Sequence, residues 1–421
     1  MREKPTLLFV STRFLLPVDS GGKIRTTQIL RGLKGGRFRI VLVSPATSEL
    51  ARNHATELQE LCDEFHWWIP PRRSPLFHYT RLRHLASPLP IPVRTDRHAA
   101  GRRLVRELLE GLRPSLAVFD FAHAGVLAPD ALPCPSVMFT HNVEAEIFRR
   151  HLDVAKNPVT RALWANQHRK MLAYEADVLR RFDVVVAVSD RDAGFFKSEY
   201  GVEKVFVIPT GVDLDYFAYA PPRKRADIVF CGSMDWLANQ EAVVHFMDEG
   251  WSAVTARVPD AQMTVVGRSP PPALVAEAAR RGLRWRFTGY VEDVRPYVQG
   301  AVSVLPLRVG GGTRLKVYEA MAMGSPLVST SIGVEGLPVN AGEHYVLAES
   351  AADIGRAAAE LLLDDRRREE ISLSARKYVE HHCSYRIAAK VFEDACEAAM
   401  ARGTRRAAGL ADHRSAVGMA K

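Results

Sequence analysis

The residues best suited to chemistry lie between Leu305 and Thr330, in the string LPLRVGGGTRLKVYEAMAMGSPLVST. Gly310, Gly311 and Gly312 leave a backbone that a ligand can approach with no Cβ in the way. Thr313 follows, and Arg314 and Lys316 bring two positive charges to the same place. Free loop N–H groups, the positive end of a helix and two cations together suit an anion, a phosphate or a diphosphate. Glu319, nearly one turn beyond Lys316, adds a carboxylate that accepts hydrogen bonds from hydroxyls. The dinucleotide pattern G-x-G-x-x-G and the P-loop pattern are both absent here, so glycine spacing alone does not name the ligand.

These groups need a strand, a loop and a helix to hold them. Ala301 to Leu307 is an apolar run that suits a buried strand. Thr313 to Met323 carries Leu315, Val317, Ala320, Met321 and Met323 at helical spacing, and Gly324 and Pro326 stop it before a strand at Leu327 to Ser329. A second strand, glycine and helix unit stands at the start of the chain. There the strand Thr6 to Ser11 is followed by Gly21 and Gly22 and by a helix expected from about Ile24, with Lys23 and Arg25 placed for anion contact. Further strands are expected at Arg39 to Val43, Phe65 to Ile69 and Leu116 to Phe119, and after Pro135 a strand ends at His141. A histidine at the carboxyl end of a strand lies where such sheets bind ligands, and His141 is the only histidine expected there. Glu144 or Glu146, just beyond, caps a helix or faces an acceptor, and the sequence leaves both open.

A helix from Thr160 to Arg181 leads to the strand FDVVVAVSD and then to KVFVIPTGVDLDYF. Ala220 to Arg225, rich in proline and base, reads as a linker. Beyond it come strands Asp227 to Cys231, Met263 to Val266 and Trp285 to Thr288, then helices Ala351 to Leu363, Arg366 to His382 and Tyr385 to Ala401. Strands alternating with helices mean an α/β fold with largely parallel sheets.

Length and composition set the bounds. The 421 residues suffice for two domains, each with its own core. No apolar run approaches the roughly 18 residues of a membrane span, and Leu7 to Val10 is broken at once by Ser11, Thr12 and Arg13, so it is expected as a first strand and not as a secretion signal. Five scattered cysteines with no C-x-x-C pair suggest neither a disulfide framework nor a zinc site, and a reducing cytoplasm is the expected location. The net charge of +9 is uneven. Between Pro70 and Arg113 stand Arg72, Arg73, Arg81, Arg83, Arg94, Arg97, Arg102, Arg103, Arg106 and Arg113 against Asp96, Glu107 and Glu110, interleaved with Leu76, Phe77, Tyr79, Leu82 and Leu85. Such a segment fits an anionic membrane surface or a lipid-diphosphate acceptor, and equally a solvated arginine-rich face. No nucleic-acid motif accompanies it.

The string EAMAMG from Glu319 resembles the donor-site motif of retaining nucleotide-sugar glycosyltransferases of family four. Gly211, Val212, Asp213 and Phe217 match a signature at the end of that family's N-terminal domain. The Gly-rich loop continued by Lys316, and the stretch GSMDWLANQEAVVHF, are closer to a branch linked to exopolysaccharide synthesis. Two departures stand out. The family's second glutamate, eight positions before Glu319, is replaced by Gly311, and the usual Arg and Lys of the loop after Cys231 are missing.

The resemblance implies a GT-B fold, with two Rossmann-like domains whose parallel sheets face across a cleft and a C-terminal helix that crosses back to the first domain. The implied division is 1–219 for the acceptor side, 220–383 for the nucleotide sugar, 384–402 for the crossover helix and 403–421 for an unordered tail. It implies that Glu319 binds the ribose hydroxyls, that Gly232, Ser233, Gly310, Gly311, Gly312 and Thr313 lie along the donor, and that Tyr290 or Val291 cups the base. It also implies that Gly21, Gly22 and Lys23 reach toward the diphosphate, that His141 orients the sugar, and that Arg314, Lys316 and Arg268 neutralise the leaving diphosphate. No metal or cofactor is called for, and Asp213 and Asp215 are expected to form a D-x-D only by accident. The expected activity is transfer of a sugar from a nucleotide diphosphate to an acceptor hydroxyl, on a sugar or lipid-linked acceptor, by a cytoplasmic protein that sits peripherally on the membrane. A sugar-nucleotide epimerase and a catalytically silent GT-B module remain as alternatives.

Overall fold

The computed structural model describes residues 4–18, 20–70, 83–155, 157–222, 227–308 and 315–418. The chain forms two compact units, one of Met1–Pro209 with Arg386–Lys421, the other of Thr210–Tyr385.

The first unit is built on seven parallel strands: β1 (Thr6–Ser11), β2 (Arg39–Pro45), β3 (Glu64–Trp68), β4 (Leu116–Asp120), β5 (Ser136–Phe139), β6 (Val184–Ala187) and β7 (Val205–Val207), in the order β3-β2-β1-β4-β5-β6-β7. Segments such as LLFV, IVLV and VVVA are apolar at successive positions because both faces of a parallel sheet are covered. Leu7, Phe9, Ile40, Leu42 and Phe139 face one layer, while Leu8, Val10, Val41, Val43 and Met138 face the other. The first layer includes the helix Gly21–Leu33 and the last helix of the chain, Tyr385–Gly418, whose Ala388, Phe392, Ala395 and Ala399 recur at helical spacing. Phe392 meets Phe139 edge-on with centroids 5.0 Å apart. The backbone of this last helix runs through Gly418, where an unordered tail was expected from residue 403.

The second unit has six parallel strands: β8 (Asp227–Cys231), β9 (Gln262–Val266), β10 (Trp285–Phe287), β11 (Val302–Leu305), β12 (Leu327–Ser329) and β13 (Val346–Leu347), in the order β10-β9-β8-β11-β12-β13. Residues 210–222 pack on this unit, so the division falls about ten residues before the expected linker. Val212 N–H donates to the Cys383 carbonyl at 2.7 Å, and Ala220 N–H to that of Met323 at 3.2 Å. Residues 223–226 lie outside the described set.

In each sheet the strand order reverses once, between β1 and β4 and between β8 and β11. Connections leaving the carboxyl ends of such a pair diverge, and the crevice they leave is where open α/β sheets bind ligands. No helix among the described residues is long and apolar enough to cross a membrane.

Candidate functional site

In the second unit the divergent pair is β8 and β11. After β8, Gly232 N–H donates to Val266 O at 2.9 Å. The chains here are so close that a Cβ on Gly267 would lie 1.9 Å from the Gly232 oxygen, so position 267 admits only glycine. After β11 the helix Leu315–Ala322 buries Val317, Tyr318, Ala320 and Met321, which leaves Lys316 and Glu319, three apart, on another face. Residues 309–314, among them Gly310, Gly311, Gly312, Thr313 and Arg314, lie outside the described residues.

Lys316 Nζ donates to Asn239 Oδ1 at 3.1 Å and stands 5.3 Å from the centre of the Phe230 ring. Glu319 keeps part of its surface open, yet enough protein surrounds its carboxyl that burial pushes the pKa up to about 7, against the pull of Lys316. Among the described residues no group donates a hydrogen bond to it. It lines a pocket with Cys231, Val294, Val298, Ala320 and Met323. A partly open carboxylate with no donor among the described residues can take two vicinal hydroxyls.

The neighbouring groups are less available. Arg268 Nε donates to Asp235 Oδ2 and to Ser233 Oγ, both at 2.9 Å, and Ser233 Oγ donates to Asp235 Oδ1 at 2.6 Å. Arg268, expected at the diphosphate, thus stands in an exposed ion pair with Asp235. Tyr290 is 74% exposed and Val291 partly buried, just past Gly289 at φ +69°. Asp213 Oδ1 accepts from the N–H groups of Asp215 and Tyr216 at 3.1 and 3.0 Å, so this carboxylate closes a turn.

In the first unit the divergent pair is β1 and β4. The helix after β1 begins at Gly21, three residues before the expected start, so Gly21, Gly22 and Lys23 form its first turn. Lys23 Nζ donates to Pro17 O at 3.1 Å. Asp120, at the end of β4, is fully buried and accepts from Ser11 Oγ and Thr26 Oγ1, both at 3.1 Å, and from His141 Nε2 at 2.8 Å. His141 is 4% exposed and stacks on Phe121 with ring centroids 3.9 Å apart. Burial lowers its pKa, helped by the Arg25 charge and opposed by Asp120. The expected sugar contact is thus a packed, neutral imidazole whose Nδ1 has no partner among the described residues.

A histidine that sequence reading missed stands at the same strand end. His123 Nδ1 donates to Asp96 Oδ2 at 3.0 Å, and its buried Nε2 lies 3.7 Å from Glu144 Oε2 and makes no hydrogen bond among the described residues. Burial alone would lower the His123 pKa, but the Asp96 hydrogen bond and the Glu144 and Asp96 charges outweigh it, and the net shift is upward. Both ring nitrogens face carboxylates, which favours the imidazolium. Glu144 is placed by Glu175, whose buried carboxylate accepts from the Glu144 and Ala145 N–H groups at 2.8 and 3.1 Å. Glu146 turns away to Arg191, 2.6 Å from it. The signal that could have found His123 is its place three residues after the strand LAVFD.

Comparison with known proteins agrees with this architecture. Residues 21–216 match the model described as Glycosyltransferase Family 4, and residues 225–364 match that described as Glycosyl transferases group 1. A phosphatidyl-myo-inositol mannosyltransferase of Mycobacterium tuberculosis is 30% identical over 155 residues, 35% of this chain and 40% of that protein. The match therefore spans under half the length of that relative. LpsB of Rhizobium meliloti, a lipopolysaccharide core biosynthesis mannosyltransferase, is 25% identical over 61% of this chain and 76% of its own. The structure of Anabaena HepE in complex with UDP superposes with a TM-score of 0.63 at 13% identity, covering 92% of this chain and 98% of HepE. With one family match on each sheet-bearing unit, and a fold shared across nearly its whole length, the chain belongs to the family-four-like, group 1 glycosyltransferases of GT-B fold.

Proposed function

We propose that this protein transfers a sugar from a nucleotide diphosphate sugar to an acceptor hydroxyl, with retention at the anomeric carbon. The observation that carries the reading is the face of the Leu315–Ala322 helix at the β8/β11 reversal, where a carboxylate with no donor among the described residues stands one turn from an amide-held ammonium. Glu319 takes the ribose hydroxyls, and Lys316, with Arg314 and the glycine loop, takes the diphosphate. The sugar–oxygen bond to the diphosphate breaks, the acceptor oxygen bonds the anomeric carbon on the same face, and the acceptor proton passes to the leaving phosphate oxygen. Charge growing on that oxygen is stabilised by positioned N–H groups and cations. His123 steadies Glu144 at the strand end, its own Nε2 buried toward that carboxylate, and the pair takes the role expected of His141.

The acceptor is lipid-linked, in glycolipid or exopolysaccharide synthesis, and the protein works at the membrane surface. Support comes from the named activities of the two mannosyltransferase relatives and from the exposed Arg83, Arg97, Arg103 and Arg106. The experiment is incubation with radiolabelled nucleotide sugars and a membrane extract, followed by anomeric analysis of the product by NMR. Label in lipid with the donor's anomeric configuration supports the reading. Conversion of the donor to an epimer, or binding without turnover, overturns it in favour of an epimerase or a silent binding module.

A further inference from the structure

The loop after β8 lacks the arginine and lysine that the resemblance leads one to expect, yet the structure brings a cation to the same place from another element. Lys316 reaches from the helix after β11 to Asn239, in the helix Leu237–His245 that follows β8. Asn239 is 2% exposed and both ends of its amide are engaged. Nδ2 donates to the Ser233 carbonyl at 2.7 Å, and Oδ1 accepts from Lys316 Nζ at 3.1 Å. An ammonium only donates and a carbonyl only accepts, so the two partners fix the amide's orientation.

We propose that Asn239 is a positioning residue that holds the Lys316 ammonium at the β8/β11 reversal for the donor's diphosphate. The proposal rests on reading the second unit as the nucleotide-sugar site. A lysine side chain has four rotatable torsions, and ordering it on substrate binding would weaken each contact it makes. Here that order exists before the ligand arrives, with the Phe230 face beneath the ammonium. Gly232 makes the arrangement feasible, because a Cβ there would lie 2.9 Å from Asn239 Nδ2 and 3.1 Å from Lys316 Nζ. The choice of amide matters chemically. An aspartate of the same shape would keep the hydrogen bond but cancel the charge, which is what Asp235 does to Arg268 nearby. An asparagine aims the cation and leaves its field for the phosphate oxygens.

The test is a double-mutant cycle on pyrophosphate affinity, measured by calorimetry at low salt, with the melting temperature of each variant recorded. Pyrophosphate is the probe because it needs no knowledge of the base. Asn239→Ala should weaken pyrophosphate about tenfold in the wild-type background and have no further effect in Lys316→Ala. Asn239→Asp, which keeps the shape and the acceptor for Lys316 but gives up the donor to the Ser233 carbonyl, should weaken it at least as much and flatten the salt dependence; it also serves if the alanine variant fails to fold. Should Asn239→Ala cost the same with and without Lys316, the amide only ties down the Ser233 loop; should Asn239→Asp bind like the wild type, the charge of Lys316 is not what the amide preserves; in either case the proposal falls alone. If Lys316→Ala binds pyrophosphate as the wild type does, the donor-site reading falls, and this proposal with it.

Discussion

Gly22 and Phe121 compete for one space: a Cβ built on Gly22 would lie 2.6 Å from Phe121 Cζ. Phe121 cannot easily yield, because it sits at φ +70°, stacked on His141 and beneath the Arg13 guanidinium at 5.0 Å. Gly22→Ala should therefore destabilise the protein by about 1–3 kcal/mol through overpacking. The check is denaturant unfolding of Gly22→Ala beside Gly22→Ala with Phe121→Leu. Relief of part of the loss in the double variant supports steric conflict. Equal stability of Gly22→Ala and wild type shows that the ring moves freely.

The two histidines at the carboxyl edge should separate by what their loss affects. His141→Ala removes a donor from a fully buried carboxylate and opens a cavity, at a cost of about 3 kcal/mol. His123→Ala should lower turnover about a hundredfold by letting Glu144 shift at the substrate edge, with a smaller change in stability. Because the His123 pKa is raised and the imidazolium donates, wild-type turnover should fall as pH rises through it. Turnover of His123→Ala equal to wild type would return the role to His141.

The fold was legible because both sheets are parallel and buried, so each strand is a short apolar run bounded by turn residues. That Glu319 and Lys316 share a helix face was legible because a helix places residues three apart on one side whatever the surroundings. What stayed hidden depends on residues far apart in sequence. Gly22 looked like a place for an anion to approach, and its reason in the structure is a ring 99 positions later. His141 looked open because it follows a strand, but Phe121 covers it. Arg268 looked free until Asp235, 33 residues earlier, came beside it. Asn239 carried no local sign and His123 only its place just after a strand, since their meaning lies in Asp96, Glu144 and Lys316 on other elements.

Metal independence is open to a direct check. The Asp213 carboxylate is occupied with the N–H groups of Asp215 and Tyr216, so the D-x-D acts as a turn. Sugar transfer should persist in excess chelator, and Asp213→Asn, which still offers an oxygen to those N–H groups, should retain most activity. Loss of transfer in chelator, restored by a divalent ion, would make Asp213 and Asp215 candidate ligands again.

Membrane contact predicts a dependence on salt. Trp67 and Ile69 are 39% and 67% exposed beside the arginine-rich segment, whose residues 71–82 lie outside the described set. Binding to phosphatidylglycerol vesicles should weaken between low and physiological ionic strength, because exposed charges are screened over about 8–10 Å. Reversing Arg103 and Arg106 to glutamate should weaken it further. Vesicle binding that is absent or indifferent to salt leaves these arginines as a solvated face.

Glu319 ties donor affinity to pH. Its carboxyl is raised to about 7 by burial, so below that value it is largely protonated and offers one acceptor oxygen and one O–H in place of two acceptor oxygens. The ribose diol is bound best by the ionised form. Affinity for a nucleotide sugar, whose diphosphate does not titrate near neutrality, should therefore fall as pH drops below 7, by at most about tenfold per unit, and level off above it. Glu319→Gln should bind more weakly and lose this dependence, and Glu319→Ala should abolish binding while the melting temperature holds. A wild-type affinity that stays flat over roughly pH 5.5 to 8.5 would mean that the carboxyl does not hold the ribose, because a group titrating in that window cannot contact the ligand without leaving its mark on the binding curve.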